Sequence, residues 1–231
     1  MSAAEPAVEA LERVLGYVFE DGSLATLALT HPSLAYEQDG SRGNERLEFL
    51  GDAVLGLAIA ALLYERKPAW TEGDLTRARA AIVNRRALAE QARALGLHEL
   101  VRLGRTEERS QGREKDSILA NCFEAVVGAL YLDGGLDAAM PLVARCFETL
   151  LAAGPARRDA KTAFQEWAHA TRRRTPSYHT VGDTGVEDGD DRFTVEVRVG
   201  GEPYGRGVGR TKRAAEAAAA EEGLLRVGEA R

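Results

Sequence analysis

The stretch NERLEFLGDAVLGLAIAALLYER, residues 44–66, constrains the fold more than any other. Its apolar residues recur at helical spacing, so it reads as one long helix, buried over most of its surface. Yet Glu45, Glu48 and Asp52 stand at its front. Residues three and four apart share a helix face, so these carboxylates point the same way and repel one another. A helix beside a core keeps such a set only where solvent or a cation offsets the repulsion. One outcome is a solvated acidic edge; the other is a cleft lined with oxygen ligands. Leu47, Phe49, Leu50, Val54, Leu55 and Leu57 surround the acids on most sides, which favours the cleft.

A second apolar pattern, SILANCFEAVVGALYLDGG, carries a similar device. Glu124 interrupts it, and Asn121 lies three residues earlier on the same face. Carboxylate and amide oxygens converging from two helices suit a hard cation. Mg²⁺ in particular takes a few carboxylates and completes its shell with water and phosphate oxygens. Gly51 and Gly128 would let the two helices approach closely. Spacing alone leaves the metal site and the solvated edge both open.

A chain of 231 residues forms one large domain or two small ones. The first 150 residues read as helices. After VEALERVLGYVF and residues 44–66 comes TEGDLTRARAAIVNRRALAEQARALGL, with Thr71 as N-cap, Asp74 completing a capping box, and Gly96 as a stop. The helix carrying Glu124 would be capped by Asp116 or Ser117 and terminated by Gly134 and Gly135. DAAMPLVARCFETLLAA makes one more. No strand is predicted before residue 155. Residues 154–160 read as a linker between a domain at 1–153 and another at 161–229. In the second domain a short amphipathic helix, KTAFQEWAHATRR, precedes three strands, PSYHTVG, DRFTVEVRVG and EPYGRGVG. The middle strand places Phe193, Val195, Val197 and Val199 on one face. TKRAAEAAAAEEGLLRVG closes the module as a helix. The predicted fold class is an all-α domain followed by a small α+β domain of order α-β-β-β-α.

The net charge of −6 argues at first against a nucleic-acid partner. Its distribution argues otherwise. Residues 1–154 hold 16 basic and 23 acidic side chains, whereas residues 155–231 hold 14 and 13, with the basic ones gathered in RRDAK, RRR and GRTKR. The longest apolar run, Ala53 to Leu63, is too short to span a bilayer, and the N-terminus lacks a basic flank followed by an apolar segment. No membrane association is expected. Cys122 and Cys146 have no CxxC spacing and read as reduced thiols of a cytoplasmic protein.

NERLEFLGDAVL resembles the signature helix of ribonuclease III, the bacterial endonuclease for double-stranded RNA. The resemblance continues through LALTHPSLAYE, EGDLTRARAAIVN, REKDSILANCFEAVVGALYLDGG, KTAFQEWA and GRGVGRTKRAAEAAAA. The last two motifs, with three strands between them, resemble a double-stranded-RNA-binding domain. The resemblance implies a metal site at Glu48, Asp52, Asn121 and Glu124, holding Mg²⁺ with Mn²⁺ as a substitute. It places Asp52, Glu124, Glu45 and Glu72 among the catalytic acids, Glu45 and Glu72 near the scissile phosphate and the subunit interface. It also implies a homodimer through the N-terminal domain, products with 5′-phosphate and 3′-hydroxyl ends, and ribosomal and messenger RNA as targets. Metal ions suit this chemistry because they lower the pKa of water and neutralise charge developing on phosphate. His31, in LTHPS, has no second ligand at a suitable spacing and reads as structural, and His98 and His169 have no catalytic pattern.

In the second domain the resemblance assigns duplex contacts to Gln165 and Glu166 on the first helix and to Thr211, Lys212 and Arg213 at the start of the last one, with His179 nearby. Helix N-termini favour phosphate, and duplex RNA is read by shape across its minor grooves. Two departures stand out. The family pattern on the second acidic helix is Asp-x-x-Glu, and Asn121 replaces the Asp. Two unit charges about 4 Å apart interact by roughly 4 kcal/mol at an effective dielectric near 20, so losing one is expected to weaken metal binding or rate. The loop after SYHTVG reads DTGVEDGDD, acidic and without the family's Gly-Pro and His. The alternative reading is therefore a protein that binds duplex RNA without cutting it efficiently; a phosphohydrolase for small molecules is a weaker one, opposed by the C-terminal module.

Overall fold

The structure is a computed structural model that describes residues 5–38, 40–153, 159–187 and 189–228. It separates into two compact units, Met1–Ala156 and Arg157–Arg231. Of the expected linker, residues 154–158 lie outside the described residues. Asp159 and Ala160 belong to the second unit instead: the Asp159 carboxylate accepts from Thr162 N and caps a helix that begins at Ala160.

The first unit runs α1 Glu5–Leu15, α2 Gly22–Ala28, α3 Pro32–Gln38, α4 Glu45–Arg66, α5 Glu72–Ile82 and α6 Arg85–Ala94. Short helices α7 Leu97–Leu100 and α8 Arg105–Arg109 and a 3-10 turn follow, then α9 Asp116–Cys146 and α10 Glu148–Ala152. Among the described residues the unit has no strand, only one isolated bridge between Thr30 and Arg102. The pattern from Thr71 to Leu97 is two helices rather than one. Thr71 and Asp74 form the capping box at the start of α5, but Asn84 accepts from Ala87 N at 3.0 Å and starts α6 afresh. A competing side-chain acceptor of this kind ends one helix and caps the next. Asp116 is the first residue of α9 rather than its cap, and its carboxylate pairs with Arg93 at 2.6 Å. Gly134 and Gly135 do interrupt the helix: Gly135 has φ +69°, and the chain bends there before the helical run through Pro141.

Helices α4 and α9 form the centre. Leu55, Ile59 and Leu63 on α4 and Leu119, Phe123, Val126 and Leu130 on α9 are almost wholly buried. Both helices are long and apolar enough to cross a bilayer by length and composition, but here much of their apolar surface is packed inside the unit. Their crossing depends on glycine. A Cβ on Gly51 would overlap the Glu124 carbonyl oxygen, and one on Gly128 would overlap that of Leu47. The backbones therefore touch where the acids project.

The second unit runs α11 Ala160–Arg172, β1 Ser177–Asp183, β2 Phe193–Val199, β3 Glu202–Gly209 and α12 Lys212–Arg226. Its antiparallel sheet has the order β1-β2-β3. Val195, Val197 and Val199 bury one face of β2 with Phe164 of α11 and Ala215, Ala219 and Leu224 of α12, while Phe193 is only partly buried.

Candidate active site and nucleic-acid interface

The crossing of α4 and α9 opens a cleft of about 530 Å³ whose lining includes Glu45, Glu48, Asp52, Asn121 and Glu124. The first three come from the opening turns of α4 and the last two from α9. Glu48, Asn121 and Glu124 are half-buried, whereas Glu45 and Asp52 are exposed. Glu72 stands apart from this cleft: it opens α5, and its carboxylate accepts from Thr76 Oγ1 at 2.9 Å.

The electrostatics follow from burial and like charge. Burial pushes the Glu124 carboxyl up to about 7, and the charges of Asp52 and Glu48 add to this while Arg85 opposes it. Glu48 is also raised, first by burial and then by Glu45 and Asp52, against a hydrogen bond from Asn121 that holds it down. Among the described residues no three His, Cys, Asp or Glu side chains close into a ready metal cage. The donor set is instead an open one. Carboxylates of two helices, with an amide oxygen beside them, suit an ion that keeps water and accepts phosphate oxygens. Carboxylates that repel one another in a half-buried cleft are stabilised by such a cation.

Two residues of this site did not stand out in the sequence. Arg85, the first residue of α6, is near enough to Glu124 to oppose its raised pKa; nothing in its immediate sequence marks it. His31, read as structural, lines the same cleft. The signal was its place in LTHPS, just before α3, but no ligand partner at sequence spacing pointed to the acids.

In the second unit Gln165 and Glu166 are exposed on α11. Thr211 caps α12, its hydroxyl accepting from Ala214 N at 3.1 Å, so Lys212 and Arg213 occupy the first turn, both exposed. Lys212 Nζ lies 5.7 Å from the centre of the Phe193 ring, and the Arg192 guanidinium lies 4.9 Å from it. Arg192 thus joins the basic start of α12, a neighbour that sequence separation had hidden. His179 is placed differently. It pairs with Glu196 across β1 and β2, so its side chain shares the sheet face opposite Val195 and Val197, away from α11 and α12. In the acidic loop, Asp183 accepts from Gly185 N at 2.9 Å and lies 3.5 Å from Arg192; residue 188 is outside the described residues.

Comparison with known proteins agrees with both halves of this geometry. Residues 21–150 match the family model Ribonuclease-III-like, and residues 160–227 match the double-stranded RNA binding motif. The chain is 50% identical over 214 residues to Ribonuclease 3 of Streptomyces coelicolor, covering 91% of this chain and 76% of that one. It is 49% identical over 217 residues to Ribonuclease 3 of Symbiobacterium thermophilum, covering 91% and 90%. Among solved structures, the nuclease domain of ribonuclease III from Campylobacter jejuni superposes with a TM-score of 0.58 at 41% identity, covering 62% of this chain and 96% of that one. With a helical nuclease unit, an α-β-β-β-α duplex-binding unit and relatives at this identity over nearly its whole length, the chain belongs to the ribonuclease III family of double-stranded-RNA endoribonucleases.

Proposed function

We propose that this chain hydrolyses the phosphodiester backbone of double-stranded RNA at the α4–α9 cleft, with Mg²⁺ as its cofactor and Mn²⁺ as a substitute. The observation that carries this reading is the convergence of Glu48, Asp52 and Glu124 in one cleft with Asn121 beside them. Glu48, Asp52, Asn121 and Glu124 would hold the metal, which when bound supplies an activated water and relief of phosphate charge. The chain's own contribution is positional. Half-burial of Glu48 and Glu124 limits water around the reacting phosphate, and the close crossing of α4 and α9 at Gly51 and Gly128 sets their oxygens in place. Glu45 extends the acidic wall at the mouth of the cleft. Products would carry 5′-phosphate and 3′-hydroxyl ends, and the targets would be duplex stems of ribosomal and messenger RNA in the cytoplasm.

The active assembly is proposed to be a homodimer. Phe49, Leu57 and Tyr64 on α4 are 82%, 56% and 77% exposed. At about 100° per residue they fall on one flank of the helix, beside the flank carrying Glu45 and Asp52. An apolar stripe of this kind marks an interaction surface, and the Campylobacter jejuni relative has a region involved in dimer formation. Two copies joined along this stripe would bring their acidic edges close together. Glu72 would act from near that interface rather than within the cleft of its own chain.

A second reading is favoured by one residue. Asn121 keeps an oxygen donor but lacks the charge of the family's Asp, so the chain would bind duplex RNA well and cut it slowly.

The test uses the full chain, a long RNA duplex and its two separate strands, with Mg²⁺. Cleavage of the duplex alone, 5′-phosphate ends on the products and sedimentation as a dimer at micromolar concentration are the expected results. Equal cleavage of single strands, or a monomer that cuts at full rate, would contradict the proposal.

A further inference from the structure

The cleft of acids is short of what a phosphodiester anion needs most, hydrogen-bond donors; Arg85 stands near Glu124 but outside the lining. Among the described residues that line it, only His31 and Asn121 carry a side-chain N–H once the carboxylates are ionised. The Asn121 amide stands beside Glu48 and is directed at that carboxylate, whose pKa it lowers. That leaves His31.

The state of its ring follows from its partners. The Ser33 backbone N–H donates to His31 Nδ1 at 3.2 Å. Ser33 Oγ lies 2.8 Å from the same nitrogen while accepting from Gly104 N at 2.9 Å, so its own hydroxyl proton is free to point at Nδ1. A nitrogen that accepts a backbone N–H carries no proton, and the neutral imidazole therefore bears its hydrogen on Nε2. Burial also holds the ring below the usual histidine range. Among the described residues Nε2 has no protein partner, and it is not among the buried polar atoms left without one.

The backbone at His31 is held as firmly as the ring. His31 N donates to Arg102 O at 3.0 Å, Arg102 N donates to Leu29 O at 2.8 Å, and Asn44 N donates to Thr30 O at 2.9 Å. The Asn44 side chain, buried, donates to Ala28 O at 2.9 Å. Asn44 directly precedes α4. The segment bearing His31 is thus tied to the start of the acidic helix, and the ring cannot drift from the acids without breaking these bonds.

We propose that His31 contacts the RNA directly, donating its Nε2–H to a non-bridging oxygen of the phosphate held in the acidic cleft. The donor is present whether the ring is neutral or protonated, so its role is hydrogen bonding and not proton transfer. This inference rests on the reading of the cleft as the cleavage centre.

Three substitutions separate this role from a structural one. His31→Ala removes both nitrogens. His31→Asn keeps an acceptor where Nδ1 meets Ser33 but loses the distal donor. His31→Gln supplies an amide N–H near the position of Nε2. In single-turnover cleavage of duplex RNA with Mg²⁺, His31→Ala and His31→Asn are expected to slow by roughly 10- to 100-fold, the loss of one hydrogen bond to a charged group. His31→Gln should recover most of the rate. Duplex affinity without divalent metal should stay within about twofold of the parent in all three. Nitrogen NMR of the imidazoles should show His31 in the Nε2–H form. Parent-like cleavage by His31→Ala, rescue by Asn and not by Gln, or an Nδ1–H tautomer would each overturn the proposal. Glu124→Gln in the same assay separates the two levels. If it is inactive while His31→Ala is normal, only the role of His31 falls; if it cuts at the parent rate, the cleft is not the cleavage centre and both fall.

Discussion

Asn121 on α9 stands beside the carboxylate of Glu48 on α4, close enough for its amide to hold the Glu48 pKa down. The pair joins the two acidic helices beside Glu124 and Asp52, and it does so with one negative charge where the family pattern has two. The neutral amide adds no repulsion to the acids around it, and it offers a cation an oxygen without a charge.

Replacing Asn121 with Asp should therefore trade stability for activity. The metal-free variant is expected to melt lower than the parent, since an acid in place of the amide faces Glu48 with like charge. Its cleavage in low Mg²⁺ should be about tenfold faster or more, a fraction of the roughly 4 kcal/mol between unit charges at close range. The parent should recover part of the difference at high Mg²⁺ or in Mn²⁺. Single-turnover rates across a metal titration measure this, and equal rates at low Mg²⁺ would remove Asn121 from the metal site.

Glu124 gives the metal-free protein a pH dependence of definite sign. Its folded pKa of about 7 stands above the ordinary 4.5. The protonated form is favoured by folding, so its contribution is complete below pH 4.5 and is lost as pH rises through 7. The cleft is partly solvated, which leaves an effect on the order of 1 kcal/mol, or about 2–4 °C in the melting of the nuclease unit. Thermal melts in chelator should fall from pH 5 to pH 8 in the parent and change less in Glu124→Gln. Added Mg²⁺ at pH 8 should restore the parent.

The glycine contact at the crossing can be tested without touching the chemistry. Gly51 and Gly128 meet backbone to backbone, a Cβ on Gly51 lying 3.0 Å from Gly128 N and overlapping the Glu124 carbonyl. Gly51→Ala must push α4 from α9, at a cost of about 1–3 kcal/mol or more. Denaturant unfolding should show that loss, and cleavage should drop further because Glu48 and Glu124 separate. Gly56, whose Cβ would meet nothing within 4 Å, serves as the control; Gly56→Ala should be tolerated.

Duplex binding should depend on the start of α12. Lys212→Ala with Arg213→Ala removes two exposed positive charges, so affinity should fall and the plot of log K against log salt should become shallower by up to about two. His179→Ala, on the far sheet face, should leave both unchanged. Filter binding at several salt concentrations distinguishes them.

Much of this was legible in the sequence, because local rules and tertiary needs agree there. Helical periodicity located α4 and α9, the glycines within them announced a close crossing, and the alternation from Phe193 to Val199 gave the buried face of β2. What escaped reading depended on contacts made only in three dimensions. Asn84 divides a helical pattern that looks continuous, since one side-chain acceptor outweighs the periodicity around it. His31 is placed at the acids by backbone hydrogen bonds that its segment makes to Arg102, some seventy residues away, and to Asn44 at the start of α4. Arg192 joins Lys212 only because β2 starts beside the first turn of α12. Glu72, assigned with the acids by resemblance, lies on a separate helix outside the cleft, and only the proposed dimer would give it a part in the site.

The most direct test of the account is single-turnover cleavage of an end-labelled RNA duplex by the parent and by Glu124→Gln, across a Mg²⁺ titration, with duplex affinity measured alongside. The predicted result is cleavage by the parent that rises with Mg²⁺, a loss of about a hundredfold or more in Glu124→Gln, comparable to removing a principal charge-stabilising group, and affinities within twofold. Cleavage by Glu124→Gln at the parent rate, or a parent rate indifferent to Mg²⁺ and to chelator, would contradict the assignment of the α4–α9 cleft as the metal-dependent cleavage centre.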